Sequence, residues 1–582
     1  MICAWALSLG GRFRCILFGL GCVFVSFRSR PGRNIQHIGA FRNHHNKIYA
    51  FYYSFAEFGE IYLRKECVWV LFGVIRTHVL KEIGVPVSNV MRTVMRRLEV
   101  LRTRGWVLVS APATLCFARI WKLVADEAAL KSVWQNKGAG GTQICLFCKN
   151  VCEHSVASMG DGYLVNPGEP DVSKFDLRSD ADVWAAIDLL RARKPVMGKG
   201  AFESFEQSMG FAFDERGLLS DLALRDVAKP VSMTAFDPMH VCLSSGVANE
   251  EIYSVLEALR DAHKIKYADI GATFESWRLP YNAEYKLKLR HQLRHTFRAA
   301  FEKPCRKSGS FKCEASIVLG VYELLRHYLL HVLTDEQKYR VRKEMKSYLE
   351  LASFLDFYLH AKNVGGVAIA PLLQEASRRF LAARRDAYGP DAFRPKHHMM
   401  QHIAPQLVAW DGLLVDCFAH ERRHKMIKEK AEPLENTTRL ERTCTIRSLL
   451  NYEAELNNMD VGSGTLIGTE EKLASDNAFT VSHGVEQYGI TAHSGDYLCS
   501  HGLPRQAFKV IAGAKHGEDY GVLCQELRAV DREFHGQWSS TWACDPAADI
   551  IMTDLQGLQP CPCVAAPGDP SVVTLLTRTP LV

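Results

Sequence analysis

Residues 233–246 read MTAFDPMHVCLSSG, which places Asp237, His240 and Cys242 at the end of a β-prone run and just before a helix-like segment. Taken alone, Asp-x2-His is a strand-end turn, the aspartate accepting from nearby amides and the histidine closing a loop. Its other reading is a metal-binding carboxylate supported by an imidazole. The choice depends on which other groups the chain can bring to the same place.

Upstream, WVLVSAPATLCFARIWKLVAD offers apolar β-like runs that end at Asp126, with a short helix after it. Strand, acid, helix is the recurring order of α/β proteins. Before it, KECVWVLFGVIRTHVLKEIG reads as a strand or buried helix, and VSNVMRTVMRRLEVLRTRG as a basic helix, with Gly84 and Gly105 as breakers. Downstream, SDADVWAAIDLLRAR takes its cap from Ser179 or Asp180, and ANEEIYSVLEALRDAHKI from Asn249. Residues 280–440 are helical by pattern. Thr334 to Gln337 make a capping box for a helix reaching Gly365, and Pro371 and Gly389 punctuate the next one. Beyond about residue 455, short β-prone pieces separated by Gly and Ser predict a small β-rich module.

The 582 residues exceed what one core serves, so two to four domains are expected, and 47% apolar with 23% charged residues excludes a disordered chain. The net charge of +7 is uneven: the first hundred residues hold 14 Lys/Arg against 5 Glu and no Asp, a balance of +9. A polyanion partner fits that charge. Eighteen cysteines are too sparse for a disulfide scaffold and suit a reducing compartment with one or two metal clusters. Near the N-terminus Arg12 and Arg14 precede the apolar run Cys15–Phe27, closed by Arg28 and Arg30. That run is too short to span a bilayer but has the form of a targeting core; a buried strand and a decayed terminus are the other readings.

Three constellations can carry chemistry. In GTQICLFCKNVCEH, Cys145 and Cys148 form a Cys-x2-Cys knuckle, half of a tetrahedral zinc site. Cys152 and His154 are the local candidates to complete it, His240 and Cys242 the distant ones. In DCFAHERRHKMIKEKAE, Glu421, His424 and Lys428 share one helix face, where an exposed salt-bridged helix is the bland reading. The nearby His398 and His402, four apart in KHHMMQH, read as polar surface, with a further metal cluster as the alternative. Finally, Lys286, Arg290, Arg294 and Arg298 form a basic helical stripe able to track phosphates.

The order of these elements resembles the cut-and-paste DDE transposases with an RNase H-like core, particularly the CACTA (En/Spm-type) and related eukaryotic superfamilies. It runs from the acid-ended β run through the Cys-x2-Cys, the Asp-x2-His and a helical stretch to Glu421-x6-Lys428, over residues 65–440. The resemblance implies an α/β fold: an RNase H-like mixed sheet carrying a zinc-knuckle insert and a large α-helical insertion. Residues 1–60 then form a basic, apolar N-terminal segment, 61–280 the first part of the core, 281–410 the helical insertion, 411–455 the closing helix, and 456–582 the β-rich module. Asp126, Asp237 and Glu421 become the catalytic acids, supported by His240, His424 and Lys428. Three carboxylates would converge on two Mg²⁺ ions roughly 4 Å apart. Glu314 and Glu323 are alternative third acids without a lysine partner. DNA is the implied partner, a homo-oligomer is compatible, and the nucleus is the implied location; neither a small-molecule substrate nor a membrane is.

One difficulty is visible in the sequence. Asp126 is the first aspartate of the chain. If the Asp-x2-His motif lies downstream of the second acid, as the resembled families allow, no earlier strand supplies the first aspartate. A non-catalytic, zinc-stabilised nucleic-acid-binding protein is therefore the first alternative, and a membrane- or organelle-targeted protein the second.

Overall fold

The computed structural model describes residues 12–25, 46–82, 84, 86–108, 114–153, 162–277, 296–431, 439–457, 464–474, 476–487, 490–500, 506–530, 539–545, 547–555, 558–561, 563–566 and 569–576. Two compact units emerge: Met1–His240 with Phe393–His402 and Val415–Asn458, and Val241–Ala392 with Ile403–Leu414 and Met459–Val582. Among the described residues no helix is long and apolar enough to cross a membrane.

The first unit is built on a six-stranded mixed sheet. Strands β1 (Arg12–Val25), β2 (Asn46–Phe55) and β3 (Val70–Arg76) form an antiparallel meander. Helix α1 (Val87–Thr103) follows, buries Ser88, Met91 and Met95, and sends Arg92 and Arg96 to the buried Asp221 at 2.8 and 2.5 Å. The hairpin β4 (Trp106–Leu108) leads into β5 (Thr114–Ala125), which runs parallel to β1, and β6 (Thr234–Phe236) runs parallel to β5 on its other side. Of the N-terminal segment 1–60 expected from the sequence, the described strands β1 and β2 lie in this sheet. Within the apolar run read as a targeting core, Cys15–Val25 is strand backbone paired with β2, and Cys15–Phe18 is paired with β5 as well.

Ile48, Ala50, Phe51 and Tyr52 of β2 and Leu123, Val124 and Ala125 of β5 are all buried, so both faces of the central sheet are covered and apolar runs replace alternation. At the carboxyl end of β5, Asp126 caps helix α2 (Glu127–Trp134), its side chain accepting from Ala129 N at 2.7 Å. Ser179, as expected, caps the helix Asp180–Arg193 with a full capping box.

The second unit holds the expected helices and the expected β-rich module. The box at Thr334 opens Asp335–Arg340, and a break at Val341 starts Arg342–Val364, which stops at Gly365. Asn249 is not the cap. Gly246 holds that place, and Asn249, one turn in, accepts from Gly246 N at 3.0 Å and donates to Phe311 O at 2.7 Å. A buried polar pair, Arg326 and Asp356 at 2.5 Å with the Tyr322 hydroxyl on Asp356 at 2.9 Å, ties neighbouring helices. In the β module Ala507–His516 pairs with Asp519–Glu526, Asp476–Ser482 and Tyr497–Ser500 around a core that includes Val485, Leu498, Phe508 and Val522.

Candidate metal centre and acid site

Cys145 and Cys148 lie in a knuckle whose backbone is fixed at both ends. Ile144 N donates to Val151 O at 3.1 Å, Arg178 N to Phe147 O at 2.8 Å, and Phe147 N to the Cys145 sulfur at 3.2 Å. Asn150, buried, bridges the surrounding loops by donating to Tyr163 O and Lys174 O and accepting from Asp176 N. Both thiols therefore aim at one point.

What faces them comes from far along the chain. His398, in the helix Pro395–Met400, and His402, just beyond it, are buried, and the ligand atoms of all four residues lie within 4.8 Å of one another. His402 Nε2 is 3.5 Å from Cys145 Sγ, 3.6 Å from Cys148 Sγ and 3.0 Å from His398 Nε2. A tetrahedral ion with thiolate and imidazole ligands sets sulfur–nitrogen edges of about 3.6 Å and nitrogen–nitrogen edges of about 3.3 Å. The cluster can hold one metal ion without rebuilding. The expectation that His398 and His402 are polar surface does not hold.

Burial opposes charge on Cys145, yet the Cys148 thiol donating to it and the imidazoles of His398 and His402 hold it well below the usual thiol range. Cys148, as that donor and buried, is pushed up. Burial lowers His398, keeping it neutral as a ligand must be. Phe147, Phe175 and Phe236 wall the histidines, with ring centroids 4.7–5.8 Å away. Of the local candidates, Cys152 stands apart from the cluster, its sulfur 3.8 Å from Val165 O, and His154 lies outside the described residues.

The acids are brought together at the carboxyl ends of parallel strands. β5 and β6 pair Ala125 with Phe236, so the next residues in that register are Asp126 and Asp237. Glu421 reaches the same place on the helix Phe418–Ala431, its Oε1 3.6 Å from His240 Nε2 and 4.0 Å from His424 Nδ1. Lys428 is two turns further on that helix, its side chain outside the described part. Asp126, Asp237 and Glu421 all raise the proton affinity of His240 against its burial, which places all three in electrostatic range of one imidazole.

Asp237 is hydrogen-bonded through both of its oxygens. Its Oδ1 accepts from Met239 N at 3.1 Å and Cys417 N at 3.0 Å, and its Oδ2 accepts from His240 N at 3.1 Å and from His240 Nδ1. Burial alone would raise its pKa; the bonds from His240 and Cys417 outweigh that and lower it. Through Cys417 N, Asp237 ties β6 to the segment that starts the closing helix. The sequence did not single out Cys417, and nothing local marks it. Among the described residues two groups have ligand atoms close enough to hold an ion, Cys145/Cys148/His398/His402 and Asp237/His240/Cys417; Cys242, once a candidate ligand, is buried and belongs to neither.

Of the basic stripe, Lys286, Arg290 and Arg294 lie outside the described residues. Arg298 is exposed at the start of the helix Ala299–Ser308, which also carries exposed Lys303, Arg306 and Lys307. Compared with known proteins, the chain matches no family model and no curated protein sequence.

Proposed function

We propose that the chain is a transposase-derived, RNase H-like protein that engages DNA from the nucleus through a zinc-stabilised core whose two-magnesium centre is reduced. The observation that carries this is the meeting of Asp126, the Asp237-x2-His240 motif and Glu421 at the ends of two parallel strands. The sheet order β3-β2-β1-β5, with β6 parallel to β5 beyond it and β2 antiparallel to both its neighbours, supports an RNase H-like core; the short β4, antiparallel to β5 on the same edge, is an addition to it. Cys145, Cys148, His398 and His402 fit Zn²⁺ by donor type and spacing, and such a closed four-ligand site is structural.

Two Mg²⁺ ions do not fit. Phosphoryl transfer through them needs three carboxylates free to bridge and ligate. β1, which would bring the first, reads RFRCILFGLGCVFV and contains no acid; its pairing with β5 runs to Phe18 opposite Val124. Asp237 is spent on four donors. The targeting alternative is disfavoured by the pairing of Arg12–Val25 within the sheet.

The test is fluorescence anisotropy of a labelled DNA duplex across a salt series, beside a plasmid-nicking assay in Mg²⁺. Binding that weakens steeply with salt, without Mg²⁺-dependent nicking, is expected. Absence of binding at low salt overturns the DNA reading. Nicking that Asp126→Asn abolishes overturns the reduced centre.

A further inference from the structure

The β module of the second unit leaves one edge of its larger sheet open. That seven-stranded sheet runs in the order Ile550–Thr553, Asp519–Glu526, Ala507–His516, Tyr497–Ser500 and Leu558–Cys561, and two more strands join it through Ala507–His516. The two ends of the order differ. Leu558–Cys561 carries Pro560, which has no N–H to donate and blunts an edge against a further strand. Ile550–Thr553 reads IIMT and holds no proline, lysine or bulge. Every second residue of an antiparallel strand turns its N–H and C=O away from its partner, and among the described residues no strand meets those groups along Ile550–Thr553.

The side chains point the same way. Among the described residues of the module, the large apolar side chains left exposed are Val530, Ile550 and Ile551, the last two at 57% and 40%. Residues paired across two strands share a face of the sheet. Ile551, opposite Cys524, therefore lies on the face of the buried core that holds Cys524 and Val522, and Ile550, opposite Gln525, lies on the other. A partner laid on one face would leave one isoleucine in water, whereas a strand added in the plane of the sheet flanks both.

Asp549 and Asp554, both exposed, bracket the strand. If two copies paired along all four residues, an antiparallel register would set Asp549 opposite Asp554 and a parallel one would set each aspartate beside its own copy. Like charges placed so are destabilising, and opposite charges are favourable.

We propose that the edge Ile550–Thr553 binds an extended segment of another protein, apolar at its centre and flanked by Lys or Arg, which adds to the sheet as a strand while its basic ends meet Asp549 and Asp554. Strand addition takes its affinity from main-chain bonds and its specificity from side chains along the strand. This goes beyond the DNA reading and does not depend on it.

The experiment measures fluorescence anisotropy of labelled hexapeptides against the full chain without DNA. One peptide alternates Val and Thr between terminal Lys residues, a second has Glu in place of Lys, and a third is the first with its two central amides N-methylated, which blocks both of its edges. The chain as a whole carries +7, so a preference for the basic peptide reports local charge. Saturable binding of the basic peptide is expected, about tenfold weaker for the acidic one and lost on N-methylation. Because both aspartates are exposed, Asp549→Lys combined with Asp554→Lys keeps the fold, and it should reverse the order of the first two peptides. No binding of the basic peptide, equal binding of the first two, or binding that survives N-methylation overturns the proposal. So does a dimer of the chain that Ile551→Lys dissociates, which would make a second copy the occupant.

Discussion

Replacing Asp237 by asparagine separates a strut from a metal ligand by the sign of its effect. A carboxylate kept for an absent ion sits among like charges, and neutralising it stabilises the metal-free protein. Asp237 instead has donors on both oxygens: Met239 N and Cys417 N on Oδ1, His240 N and His240 Nδ1 on Oδ2. An asparagine can offer an acceptor to only one of these pairs, because its amide NH₂ must point at the other two donors in either orientation. Two charge-assisted bonds are lost and two buried donors are left facing a donor, so about 3–6 kcal/mol is expected at roughly 1.5–3 kcal/mol for each bond to a charged group. The His240 ring can relieve one clash by moving its proton to Nε2, which turns an N–H toward Glu421. The assay is amide hydrogen exchange read by mass spectrometry. Peptides covering Thr234–Phe236 and the start of Phe418–Ala431 should exchange at least about a hundredfold faster, since each 1.4 kcal/mol is a factor of ten where opening is local. Peptides from the β module, such as Ala507–His516, should be unchanged. Equal or slower exchange at β6 in the variant would refute the strut.

Two further outcomes follow from the same structure. Purified protein should carry one zinc per chain by elemental analysis; Cys148→Ser or His402→Ala should lose it and Cys152→Ser should keep it, and metal loss in the Cys152 variant would show that the four-residue cluster is not the site. In the helical part of the second unit, burial first, then His331 and Arg326, push His327 from 6.5 down to about 4. The unfolded chain therefore takes up a proton below pH 6.5 that the folded chain refuses until about 4, so stability present above 6.5 falls as the pH drops. The loss is about 2 kcal/mol at pH 5, at 1.36 kcal/mol per unit. Thermal melts of His327→Gln should lack this part of the slope, and an identical pH profile in the variant would refute it.

What the sequence disclosed divides along a physical line. Ser179 capping its helix, the box at Thr334, the stop at Gly365 and the end of β5 at Asp126 were all legible, because each is decided by residues within a turn of it. β1 was not, since a continuous apolar run has the same pattern in a targeting core and in a sheet strand, and only its pairing with β2 and β5 distinguishes them. The metal cluster fails in the same way. Cys145 and Cys148 announce themselves by a spacing of three, but the nitrogens that close the set stand some 250 residues later, where a pair of histidines four apart reads as polar surface by frequency alone. The Met399–Met400 pair between them was the available signal, for a surface turn has little use for two adjacent apolar side chains, and both are buried. Asp237 shows the consequence for function. Its motif was visible, yet whether a carboxylate ligates an ion or braces a helix depends on how many of its lone pairs are already taken, and one of the donors that take them, Cys417 N, arrives from 180 residues away. Spacing within a motif can therefore nominate a group for chemistry, and only the count of its partners in three dimensions can assign the chemistry to it.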